Sequence, residues 1–364
     1  MKRVTLWSIV GCILLVAAIT PQVAKAATTY RANVGAETPD QSVEALGFFP
    51  NELWILEGDS IQWTFVPKDL IHTVTFLTPG QMRPSLPPPP AGPPFAVQGV
   101  NCADPPPSSY DGSSCVSTEG LTAPSTFKVT FPTAGNFKLV CLVHLYMNGT
   151  VHVLSNNGTN PALLHTQQFY DEQGQQEANA IIFDDNLLQF FPQPISSSPN
   201  PVTASVGKLV ATPGGLQPGV ILRYLSSTIV IHQGQSVTWA NSDPTEPHTV
   251  TFGTEPANFI FTTQVGLGKA ADDGTLTATL KCTPAPKPCD ADFGPESNPS
   301  QVYNPAIFLS SGFLQAQVPD RDGDTQLPPG TTRITITFNN PGNYYYHCAL
   351  HDVDGMLGEV IVLP

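Results

Sequence analysis

Leu53-Trp54-Ile55-Leu56-Glu57-Gly58-Asp59-Ser60-Ile61-Gln62-Trp63 alternates apolar and polar residues on both sides of a glycine, the pattern of two strands joined by a tight turn. The pattern returns 176 residues on as Ile229-Val230-Ile231-His232-Gln233-Gly234-Gln235-Ser236-Val237-Thr238-Trp239. At the same offset, His72-Thr73-Val74-Thr75-Phe76 repeats letter for letter as His248-Thr249-Val250-Thr251-Phe252. A second block repeats at an offset of 207. There Phe127-Lys128-Val129-Thr130-Phe131 matches Ile334-Thr335-Ile336-Thr337-Phe338, Gly135-Asn136-Phe137 matches Gly342-Asn343-Tyr344, and Cys141-Leu142-Val143-His144 matches Cys348-Ala349-Leu350-His351. After a loop two residues longer in the second copy, Met147-Asn148-Gly149-Thr150-Val151-His152-Val153 matches Met356-Leu357-Gly358-Glu359-Val360-Ile361-Val362. So long a period means two copies of one β domain, not a solenoid.

Composition agrees. With 38 Pro and 29 Gly in 364 residues, long helices are disfavoured and short strands with many turns are favoured. Hydrophobic residues, at 41%, suffice for real cores. Lys+Arg number 15 against 29 Asp+Glu, a net charge of −14, which argues against nucleic acid as a partner.

The N-terminus reads as a secretion signal over residues 1–26. Lys2 and Arg3 precede the apolar run Val4 to Ile19, and Ala24-Lys25-Ala26 supplies a small-x-small cleavage site. The alternatives are a retained anchor, or lipidation at Cys12. The mature chain is expected to be exported to the periplasm, cell surface or extracellular space, with no transmembrane helix. Domain one is expected over 27–154, with a Pro-rich insertion at about 79–120. Domain two is expected over 201–364, with an insertion at about 254–330. The linker, 155–200, carries one amphipathic helix within 166–190 that is broken or weakened near Gly174. An oxidising compartment allows disulfides. Pairing Cys102 with Cys115, and Cys282 with Cys289, closes one short loop per copy. The alternative is metal binding by the four thiols, against which stands the lack of a two-residue spacing.

Each copy ends in a Cys, a His three residues later, and a Met, with a further His upstream. His72, Cys141, His144 and Met147 form one set; His248, Cys348, His351 and Met356 form the other. Two imidazoles, a thiolate and a weak thioether are the donor set of a blue copper site. A lone Cys-x-x-His is weak, and a buried Met is usually core. The full set occurring twice, in the same flanking sequence, is far more specific.

On these residues both copies resemble the cupredoxins, the plastocyanin, amicyanin and pseudoazurin group. Cys141-x2-His144-x2-Met147 resembles the amicyanin loop, and Cys348-x2-His351-x4-Met356 the plastocyanin loop. The resemblance implies an all-β protein of two tandem Greek-key sandwiches, each with one type 1 copper ion at one end. It covers about 44–78 and 125–154, then 220–253 and 331–364. The long insertions depart from compact family members.

Tandem cupredoxin domains also build oxidases and nitrite reductases. The first resemble this chain only in domain type, since His-x-His pairs are missing from the sequence. The second share a His directly before the Cys, here His347, but neither His72 nor His248 is followed by the second His that their catalytic copper needs. By strand alternation His347 should point away from Cys348. A copper-handling role would favour Met and His clusters, whereas the chain has four Met and scattered His152, His165 and His232. The expectation is an electron carrier or relay, not an enzyme, whose redox partner presents a basic docking surface. Asp352 and Asp354 beside the second centre, against Leu145 and Tyr146 beside the first, predict the higher potential at the first.

Overall fold

The structure is a computed structural model. It describes residues 26–68, 70–81, 102, 105–118, 120–144, 146–157, 164–183, 200–211, 217–253, 275–282, 289–292, 308–311, 314 and 332–364. Residues 1–25 of the expected signal, and most of both expected insertions, lie outside these residues. Among the described residues, no helix is long and apolar enough to cross a membrane.

The first half contains β1 (Thr29–Glu37), β2 (Val43–Phe49), β3 (Glu52–Leu56), β4 (Ser60–Phe65), β5 (Thr75–Phe76), β6 (Val116–Ser117), β7 (Thr126–Thr130), β8 (Gly135–Val140) and β9 (Asn148–Leu154). Helix α1 (Gln167–Ile182) follows. The second half contains β10 (Val202–Ala211), β11 (Pro218–Leu225), β12 (Thr228–His232), β13 (Ser236–Ala240), β14 (Thr251–Gly253), β15 (Thr275–Cys282), β16 (Cys289–Asp292), β17 (Phe308–Ser310), β18 (Arg333–Phe338), β19 (Gly342–His347) and β20 (Leu357–Leu363).

The repeated stretches form the turns and strands that alternation predicts. Gly58 and Gly234 sit at the turns with φ of +89° and +85°, a conformation that favours glycine. Strands on either side of each turn enter different sheets. β3-β9-β8-β5-β6 and β12-β20-β19-β14-β17 are five-stranded sheets, one per half. Each packs on one half of a ten-stranded sheet to give an all-β sandwich. Trp63 and Trp239 are fully buried between the layers at equivalent positions. A buried aromatic of this size contributes about 3–5 kcal/mol against alanine.

The halves are not joined by a linker alone. The ten-stranded sheet, in the order β16-β15-β18-β13-β10-β11-β2-β1-β4-β7, runs continuously from one half to the other. The join is the antiparallel pair β2–β11, with Glu44 opposite Val220. Leu222 donates its N–H to Ser42 O at 2.9 Å, and the Arg223 guanidinium donates to the carbonyls of Asp40 and Gln41. Edge pairing satisfies backbone groups that two separate sandwiches would leave open.

α1 is unbroken, contrary to the expectation at Gly174. That glycine is buried, and a Cβ there would meet the Phe49–Pro50 backbone at 2.9 Å. It therefore marks a close approach of helix to sheet rather than a break. Thr166 caps the N-terminus by accepting from Phe169 N, and the Tyr170 hydroxyl both accepts from and donates to the Trp54 backbone.

Cys102 and Cys115 form a disulfide, as expected. The backbones of Cys282 and Cys289 face each other across β15 and β16. Their side chains, and with them the expected second disulfide, lie outside the described residues.

Candidate metal centres

Strands bring the repeated His, Cys and His together at one end of each sandwich. Cys141 is the first residue after β8, and Cys348 the first after β19. Each following loop folds back through Met. Cys141 N donates to Met147 O at 3.0 Å and Met147 N to His144 O at 3.2 Å; Cys348 N donates to Met356 O at 3.1 Å and Met356 N to His351 O at 2.9 Å. Both methionines are fully buried in the apolar cores that include the cysteines. The upstream His precedes the strand of its repeat: β5 and β14 begin three residues after it. His72 instead exchanges backbone hydrogen bonds with Leu121, and His248 with Leu314.

Two groups result: His72, Cys141 and His144; and His248, Cys348 and His351. In the first, the Nδ1 atoms are 2.9 Å apart, and Cys141 Sγ lies 3.9 and 3.6 Å from the Nδ1 atoms of His72 and His144. In the second the corresponding distances are 3.1, 3.8 and 3.5 Å. A circle through the three atoms has a radius of about 2.0 Å in either group, a metal–nitrogen bond length. The donors therefore fit one ion per group. All six side chains are at least 98% buried.

A hydroxyl ladder fixes each triangle. Thr73 N donates to Cys141 Sγ at 3.4 Å, while Thr73 Oγ1 accepts from Leu142 N at 2.8 Å. Thr249 N and Oγ1 do the same for Cys348 Sγ and Ala349 N, at 3.3 and 2.8 Å. Thr75 with Ser117, and Thr251 with Ser310, extend the ladder into the sheet. The letter-for-letter repeat of His-Thr-Val-Thr-Phe carried this signal, since neither Thr is a ligand and both recur.

The acidic residues around the imidazoles carried no such signal. His72 Nε2 lies 2.6 Å from Oε1 of Glu44, and His144 Nε2 lies 2.5 Å from Oε1 of Glu246. His351 Nε2 is 4.0 Å from the other oxygen of the same Glu246. Among the described residues, His248 Nε2 has no hydrogen-bond partner and faces Gly207. The electrostatics of the two groups diverge accordingly. Burial pushes the His144 ring down, but Glu246 and Cys141 hold it well above the usual imidazole range. Burial also pushes the Cys141 thiol up, yet the two imidazoles outweigh it and the thiol lies well below its ordinary value. In the second group burial pushes Cys348 up to about 11, and burial and His351 hold His248 well below its ordinary value.

Gly207 is a specific requirement of the second group. Its φ is +67°, at a register shift in β10, and a Cβ there would overlap the His248 ring. Gly35 repeats the conformation in β1, facing Pro67 and Glu44 instead. Gly207→Ala is expected to abolish metal binding at the second group and leave the first intact, adding about 1–2 kcal/mol of backbone strain to the overlap. Metal analysis of the loaded variant checks this; retention of the wild-type metal content would show that the ring can move aside.

His347 does not join either group. It is half-buried at the end of β19 while Cys348 is fully buried, consistent with alternation.

No known family pattern matches the sequence, and no curated protein matches it either. Among solved structures the chain is similar to amicyanin. One copper(I) form of an amicyanin variant matches at 17% identity and a TM-score of 0.22, over 35% of this chain and 82% of that one. A second such form matches at 19% identity and a TM-score of 0.22, over 36% and 87%.

Proposed function

We propose that the chain is an exported copper protein with two mononuclear type 1 centres, acting as an electron carrier or relay and not as an enzyme. His72, Cys141, His144 and Met147 hold one ion; His248, Cys348, His351 and Met356 hold the other. The observation that supports this most is the doubled, buried triangle of two imidazoles and one thiolate, sized for a single ion. A soft thiolate with two imidazoles favours copper, which would supply a one-electron couple.

The chain's own residues set the conditions for that couple. The Thr73 and Thr249 N–H groups donate to sulfur and fix its position. The Met loops are closed by their own backbone hydrogen bonds, so the donors are held before any ion arrives. The four ligand imidazoles and two thiolates are buried, which suits passage of an electron better than entry of a substrate molecule. The excess of 29 acidic over 15 basic residues suits a partner with a basic docking face.

Copper loading of the purified full chain, followed by metal analysis and a visible spectrum, tests this. Two ions per chain and an intense blue or green band are expected. One ion or none, or a colourless copper form, overturns the reading.

A further inference from the structure

The imidazole edges of His144 and His351 do not reach solvent; both turn inward, toward one carboxylate. Glu246 comes from the loop that precedes His248 and is 2% exposed. Its Oε1 lies 2.5 Å from His144 Nε2, and its Oε2 lies 4.0 Å from His351 Nε2. The His144 contact is a close ion pair. One side chain thus touches one histidine of each group, from opposite halves of the molecule.

The loop is built to hold it there. Asn241 Nδ2 donates to the carbonyls of Glu246 and Leu314 at 2.8 and 2.7 Å. Asp243 Oδ1 accepts from Thr245 N, Thr245 Oγ1 and Glu246 N. Asn241 and Asp243 are themselves buried, so the backbone that carries the Glu246 side chain is held by buried hydrogen bonds. The β2–β11 join fixes the other partner by locking the halves together.

We propose that Glu246 couples the two centres into one electron-exchanging pair, by placing a single negative charge and a single side chain, through non-covalent contacts, between an imidazole of each. This rests on the occupancy of both groups by copper. One electron leaves the reduced centre and the same electron arrives at the oxidised one. No bond forms or breaks, and no co-reactant is consumed. A shared charge also has a consequence that two independent centres lack: removing it must move both potentials. Glu44, which touches only His72, must move one.

The test uses the copper-loaded full chain, with each centre read alone in Cys348→Ser or Cys141→Ser backgrounds. Glu246→Gln is expected to shift both centres toward the reduced form by tenfold or more, about 59 mV for a one-electron couple. The His144 centre should shift further, because its contact is shorter. Glu44→Gln is expected to shift the His72 centre alone. A Glu246→Gln protein in which only one potential moves, or neither, overturns the proposal. A second measurement needs no variant at Glu246. After flash photoreduction of the unaltered chain, the electron should redistribute between the two bands at a rate independent of protein concentration. A rate proportional to concentration means exchange between molecules and overturns the pairing. Fewer than two blue centres in the unaltered chain would instead refute the copper reading itself, so the two failures are distinguishable.

Discussion

Cys141→Ser is expected to remove about half of the visible absorption, and Cys348→Ser the remaining half, because each thiolate serves one ion and the colour arises from the copper–thiolate bond. The substitutions are close in size, and both thiols are fully buried, so the cores should close around serine with little loss of packing. The Thr73 and Thr249 N–H groups retain an acceptor in the serine oxygen. Serine is a hard, un-ionised donor and cannot replace the thiolate. The spectra of the two single variants and of the double variant check this. Loss of the whole band on either single change would mean one coloured site instead of two.

The centre of His72, Cys141 and His144 is expected to have the lower potential, the reverse of the order that the loop sequences suggest. Negative charge near the ion favours its oxidised form. Asp352, in the loop of the second centre, is exposed, where solvent and salt screen it. Asp354 is buried but has the Arg223 guanidinium near it. The first centre instead has two buried carboxylates, Glu44 at 2.6 Å from His72 Nε2 and Glu246 at 2.5 Å from His144 Nε2. At the second, Glu246 is more distant, 4.0 Å from His351 Nε2. One additional carboxylate charge about 7 Å from an ion is worth about 2 kcal/mol at an effective dielectric of about 20, enough to set the order. Redox titrations of Cys348→Ser and Cys141→Ser, which leave the first and second centres respectively, decide it. Electrons would then run from the first half to the second. A higher potential at the first centre would mean that the loop charges or the axial Met outweigh the buried carboxylates.

The ligand sets and the β class were legible in the chain because both rest on short-range repetition. Alternation across Gly58 and Gly234 dictates paired strands, and a Cys-x-x-His with a downstream Met has meaning through its spacing alone. Recurrence of these patterns at fixed offsets separated them from chance. What could not be read is what breaks the repeat. At the offset that aligns His72 with His248, Glu246 aligns with Leu70, and Glu44 lies opposite Val220 across the join between halves. Neither acid belongs to a motif; Glu44 meets His72 through the packing of the first half, and Glu246 meets His144 only because the sheets are fused edge to edge. Gly174 misled for the same reason: a glycine in a helix weakens it locally, and only the approach of the Phe49–Pro50 backbone explains its presence. The sequence by itself determined which side chains could hold metal and that there are two such sets. Only the tertiary structure decided how the sets face each other and which one collects the buried charge. Local periodicity encodes contacts within a strand pair, whereas contacts between halves depend on which sheet edges meet.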